Sequence, residues 1–75
     1  MTLSVAEENY IKAIFDLANE GKVTTNTLAK SVRTKASSAT DMIRRLSDKK
    51  LVNYVKYKGV TLTEEGQRVA LKTLR

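Results

Sequence analysis

Thr34-Lys35-Ala36-Ser37-Ser38-Ala39-Thr40-Asp41-Met42-Ile43-Arg44-Arg45-Leu46-Ser47-Asp48 is the stretch on which the fold of this chain turns. Ala39, Met42, Ile43 and Leu46 fall at i, i+3, i+4 and i+7, which is one buried face of a helix. Its other face carries Ser37, Ser38, Asp41, Arg44, Arg45 and Asp48. Small hydroxyl residues, Thr40 among them, gather at the N-terminal end, and the arginines lie one to two turns on. Thr34 or Lys35 must start the helix, and only Thr34 has the side-chain oxygen of a good N-cap.

Two further helices are expected upstream. Ser4 and Glu7 have capping-box spacing, and Ile11, Ile14, Phe15 and Ala18 follow as a buried stripe that Tyr10 and Leu17 widen. Gly21 is placed to stop that helix, because glycine accepts the left-handed conformation. Thr24, Thr25 and Asn26 offer caps for a second, shorter helix whose buried positions are Leu28, Ala29 and Val32. Downstream the period changes. Leu51 to Val55 is β-prone, Lys56-Tyr57-Lys58-Gly59 is a basic turn, and Val60-Thr61-Leu62 is a second short strand. Thr63 then caps a fourth helix with Glu64 and Glu65 in its first turn, where the helix dipole favours acids, and with Val69, Ala70 and Leu74 as apolar positions. The helical run reaches Arg75 with neither a cap nor a glycine, the pattern expected of the N-terminal part of a longer protein.

Helix, helix, helix, two-stranded hairpin, helix is the order of a winged helix-turn-helix: mainly α, with a three-helix bundle, a two-stranded wing and a partial fourth helix, all within one domain of residues 1–75. At 75 residues the core is thin, yet 41% apolar residues suffice to build one and argue against a disordered tail. With no Cys and no His, disulfides, thiolate metal sites and histidine-based catalytic dyads are excluded. Glu7-Glu8 and Glu64-Glu65 are adjacent in helices, diverge by about 100° and cannot share an active site. No apolar run spans a membrane or forms a signal core, so a cytoplasmic binding module, not an enzyme, is expected.

Charge localises the function. Residues 30–58 hold nine Lys or Arg against two acids, a net of +7 within a chain of net +6, while residues 1–29 hold two bases against four acids. One basic middle segment is the footprint of a protein that meets a polyanion. The third helix has the width to enter a DNA major groove, with Lys56 and Lys58 at the wing tip on the backbone. Asp41 has two readings: it accepts from cytosine N4, or it pairs within the helix with Arg44 or Arg45. The other use of such a fold is a winged helix that binds protein or RNA. A metal-dependent enzyme has almost no support.

Three stretches carry a family resemblance: Glu8-Asn9-Tyr10-Ile11-Lys12-Ala13-Ile14-Phe15, Thr34-Lys35-Ala36-Ser37-Ser38-Ala39-Thr40-Asp41-Met42 and Tyr54-Val55-Lys56-Tyr57-Lys58-Gly59-Val60-Thr61-Leu62-Thr63. In their order and spacing the chain resembles the N-terminal DNA-binding domain of the diphtheria-toxin-repressor-like metalloregulators, the iron- and manganese-dependent repressors. It is most similar to the manganese branch. The resemblance implies a dimeric, divalent-metal-dependent transcription regulator that binds palindromic double-stranded DNA, with manganese or iron in the full-length protein. It implies recognition-helix contacts at Lys35, Ser37, Ser38, Thr40 and Asp41, a phosphate contact at Arg45 and a wing contact at Lys58. Thr25 falls where a relative has a phosphate-contacting Arg, which implies that this contact is weaker or absent here. Two positions depart from the pattern: Asn9 stands where relatives have Asp or Met as a metal ligand, and Lys12 where the manganese branch has Glu. An amide is a poorer ligand than a carboxylate and an ammonium is none, so no metal is expected on this chain, and a member that has lost metal sensing is the alternative.

Overall fold

Short-range hydrogen bonds close the helix starts. In the first helix, α1 (Val5–Ala18), Ser4 Oγ accepts from the Glu7 N–H and the Glu7 carboxylate accepts from the Ser4 N–H, so the capping box forms. In α2 (Thr25–Ser31) the cap is Thr24, which exchanges reciprocal bonds with Thr27 at 3.1 and 2.9 Å. The third helix, α3, runs Ala36–Asp48, the hairpin strands β1 and β2 are Val52–Val55 and Gly59–Leu62, and α4 is Glu64–Thr73. This computed structural model describes residues 3–55 and 59–73. The wing tip, including Lys56, Tyr57 and Lys58, and the apolar position Leu74 lie outside the described residues.

The strands pair antiparallel in the register Val52 with Leu62, Asn53 with Thr61, Tyr54 with Val60 and Val55 with Gly59. Gly59 is thus part of the second strand and not only of the turn. Its φ is +86°, and a Cβ there would lie 2.2 Å from the Val23 carbonyl oxygen. That close approach lets the Val60 N–H donate to Val23 O at 2.8 Å, which ties the wing to the segment between α1 and α2.

All four apolar positions expected on α3 are buried, as are Tyr10, Ile11, Ile14, Leu28 and Ala29. Val23, Leu51, Val52, Val60 and Ala70 complete the core, with Phe15, Leu17, Val32 and Val69 packed partly buried against it. Ala18, the last residue of α1, is exposed. The C-cap of α1 is Asn19, and Gly21, two residues further on, donates to Leu17 O at 3.1 Å.

The start of α3 differs from expectation. Its N-cap is Lys35, extended at φ −79° and ψ 152°, with no side-chain cap bond. Thr34 is committed to the previous helix: its N–H donates to Ala29 O while the Arg33 N–H donates to Lys30 O. This is a Schellman closure of α2 with Arg33 at φ +56°. The same closure ends α3, where Lys50 (φ +62°) donates to Ser47 O and Leu51 donates to Leu46 O. Leu51 is therefore spent on the helix cap, and β1 begins at Val52.

Candidate nucleic-acid interface

The core-facing stripe of α3 fixes what its opposite face presents. At about 100° per residue, Ser37, Asp41, Arg44 and Asp48 fall near the middle of the outward face. Lys35, Ser37, Ser38, Asp41, Arg44 and Arg45 are all exposed. Thr40 is half-buried, and its hydroxyl donates to Ala36 O at 2.9 Å, which turns the proton back to the helix. The structure thus gathers seven of the sequence-derived contact residues on or beside one face. Lys56 and Lys58 are the other two, in the segment outside the described residues.

Arg44 and Arg45 diverge, being consecutive, and each lines a different cleft. Arg45 shares one with Ser38, Asp41 and Met42. Arg44 shares the other, of about 570 Å³, with Thr25, Thr40, Ser47 and Tyr54 above Ile43. Among the described residues Asp41 forms no ion pair with Arg44 or Arg45, so its carboxylate stays on the outward face. Glu64 and Glu65 of α4 both pair with Arg68, at 3.8 and 2.8 Å.

Sequence reading missed the clamp that sets the far end of α3. Glu7, expected as the capping-box partner of Ser4 and a first-turn acid, is 6% exposed and also pairs with Lys49 Nζ at 2.5 Å. The Lys49 ammonium, helped by the Ser4 N–H, holds the Glu7 carboxyl at about 2 against an ordinary 4.5, while burial works the other way. The bond joins the start of α1 to the C-cap of α3 across 42 residues of sequence. A carboxyl pKa lowered by folding contributes stability that is fully present above the unfolded value of 4.5 and is lost as pH falls from there through about 2. Glu7→Gln should therefore cost about 1–2 kcal/mol near neutrality, a figure discounted because Lys49 keeps a third of its side chain in water. The variant should also flatten the acid limb of a melting-temperature profile taken from about pH 7 down to about pH 2. An acid limb as steep as that of the unaltered chain would remove the clamp from this account.

A divalent cation does not fit α1. Asn9 and Lys12 are exposed and line a shallow cleft with Ala13, Asp16, Ser31 at the end of α2 and Val32 just after it. Its side-chain donors among the described residues are one amide, one hydroxyl and a single carboxylate, opposed by the ammonium of Lys12. Among the described residues no three His, Cys, Asp or Glu side chains come together to hold a metal.

A helix-turn-helix whose second helix turns an exposed face of small hydroxyl, arginine and aspartate side chains outward, followed by a hairpin, defines a winged-helix DNA-binding domain. The chain belongs to the iron dependent repressor family, whose N-terminal DNA binding domain it matches over residues 2–60. It is 36% identical over 74 residues to an uncharacterised HTH-type transcriptional regulator of Methanocaldococcus jannaschii, covering 96% of this chain and 59% of that protein. It is 30% identical over 63 residues to the HTH-type transcriptional regulator MntR of Oceanobacillus iheyensis, covering 83% of this chain and 43% of that one. The chain spans about half the length of these curated relatives. Among solved structures, the manganese regulator SloR superposes with a TM-score of 0.74 at 30% identity over 93% of this chain and 32% of its own. Staphylococcus aureus MepR, solved as a DNA complex, superposes at 0.80 with 16% identity over 93% of this chain and 53% of its own, which is a likeness of fold alone.

Proposed function

We propose that this chain is the part of a metal-dependent transcription regulator that reads its operator in double-stranded DNA. Helix α3 lies in the major groove. Lys35, Ser37, Ser38, Thr40 and Asp41 meet base edges and the adjoining backbone at its N-terminal end, and Arg44, Arg45, Lys56 and Lys58 take phosphates. One observation carries the reading. The outward face of α3 combines small hydroxyl residues at the leading end with one arginine on each flank, over a core that fixes its rotation.

The domain is a binding module without catalytic function. It works in the cytoplasm, and among the described residues no helix is long and apolar enough to cross a membrane. The full-length protein is a homodimer, which sets two α3 helices about 34–36 Å apart on an inverted repeat. Because α1 does not fit a divalent cation, the manganese or iron of such a regulator takes its ligands from outside these 75 residues.

Fluorescence anisotropy on labelled duplexes, one with an inverted repeat and one scrambled, tests the reading across low to moderate salt. The isolated domain should bind weakly, with a log-salt slope near −0.9 per phosphate neutralised. Arg45→Ala should weaken both duplexes alike and reduce that slope by about one, whereas Ser37→Ala or Asp41→Asn should change the preference between them. Identical behaviour of the two sets would overturn the assignment of base readers. No binding at low salt would move the face to a protein or RNA partner.

A further inference from the structure

The cleft on the Arg44 side of α3 is built from three separate elements. Thr25 comes from the first turn of α2, Arg44 from α3 and Tyr54 from β1. Tyr54 has no explanation in the core. Strand alternation puts it on the same face as Val52, which is 1% exposed and packed inside, yet Tyr54 is 53% exposed. The strand has run past the edge of the core by then, and the ring closes one wall of a cleft instead of filling the interior. Ile43 forms the floor. The cleft thus joins a guanidinium, four hydroxyls and the Asp48 carboxylate around an opening of about 570 Å³, ample for one phosphodiester and part of a sugar.

We propose that Thr25, Arg44 and Tyr54 form a seat for a single backbone phosphate of duplex DNA. Arginine matches phosphate with paired, parallel N–H donors, and hydroxyls complete the contact by donating to the remaining oxygens. The hydroxyl of Thr40 already donates to Ala36 O, which leaves Thr25, Tyr54 and Ser47 as the hydroxyl donors beside Arg44. Asp48, one turn beyond Arg44, lines the same cleft with a carboxylate, which opposes the anion that Arg44 attracts. Arg45 lies about 100° round the helix with Ser38, so the two arginines address the backbones on opposite walls of the groove. Tyr54 also stands at the root of the wing, so the seat sets how the hairpin meets the duplex.

The inference rests on the DNA reading above, and the test separates the two. The chain is titrated into a labelled duplex, two helical turns long, by anisotropy. Tyr54→Phe removes one exposed oxygen and leaves the ring, so its melting temperature should match that of the parent. Tyr54→Phe and Thr25→Val should each weaken the repeat and scrambled duplexes alike by about threefold to tenfold. Arg44→Gln should lower the log-salt slope by about one. Duplexes with one neutral methylphosphonate moved stepwise along a strand should show one position that weakens the parent and has no further effect on Tyr54→Phe or Arg44→Gln. If Tyr54→Phe and Thr25→Val bind every duplex as the parent does while Arg45→Ala still weakens them, the seat is overturned and DNA binding stands. If the parent chain binds no duplex at low salt, both are overturned.

Discussion

Gly66→Ala should unfold the domain or lower its melting temperature by about 12–24 °C, the opposite of what helix propensity predicts. In an exposed helix interior, glycine to alanine gains about 1 kcal/mol. Here Gly66 is buried, and a Cβ would lie 2.0 Å from the Leu51 carbonyl oxygen and 3.1 Å from its carbon. That oxygen is backbone and cannot swing aside. It already accepts from the Thr63 N–H at 3.0 Å. Thr63 Oγ1 in turn donates to Lys50 O at 2.7 Å and accepts from the Gly66 N–H at 3.1 Å. The start of α4 is thus held to the turn that closes α3 by contacts that all need the close approach at Gly66. Adding a methyl must push α4 away and strain or break them together, at a cost of about 3 kcal/mol or more. Each kcal/mol shifts the melting temperature of a domain this small by about 4–8 °C, and its whole stability is roughly 4–11 kcal/mol. Thermal melts followed by circular dichroism decide the matter. A variant that melts at or above the parent would mean that α4 is not held against Leu51 in solution.

Ile43→Ala should cost about 2–5 kcal/mol, enough to leave a large fraction of the chain unfolded. Ile43 is 4% exposed and belongs to the core beneath the outward face of α3. Truncation removes three carbons from a packed interior that cannot collapse around the gap without turning the helix. Ile43→Val removes one carbon and should cost only about 0.5–1.5 kcal/mol. Urea midpoints for the pair should therefore fall in that order. DNA affinity should follow the folded fraction, because Ile43 also floors the Arg44 cleft. An Ile43→Ala midpoint equal to that of Ile43→Val would show that the site repacks and that the rotation of α3 is less firmly fixed than the structure indicates.

The residues proposed to meet DNA and those that hold the fold are interleaved along α3, so the period that marks one set also marks the other. Ala39, Met42, Ile43 and Leu46 face inward, and the same period that identifies them assigns Ser37, Asp41 and Arg44 to the outside. The capping box of Ser4 and Glu7, the cap at Thr24 and the cap at Thr63 follow from contacts three residues long. Signals of that range are complete within a few residues, so the sequence by itself determined the helices, the hairpin and the outward face.

Other features depended on parts of the chain that lie far apart. The helix closures at Arg33 and Lys50 use non-glycine residues at positive φ, held there by bonds back to Ala29, Lys30, Leu46 and Ser47 and by Leu51 anchored in the core. A search for glycine stops therefore misses them. Gly66 looks like a weak point in a helix until Leu51 is brought against it. Glu7 looks like a local capping residue until Lys49, 42 residues away, arrives beside it. Tyr54 looks like an ordinary strand residue until α2 and α3 close a cleft around it. Each of these depends on a contact between elements that no local period encodes, so only the tertiary structure decided what those residues do.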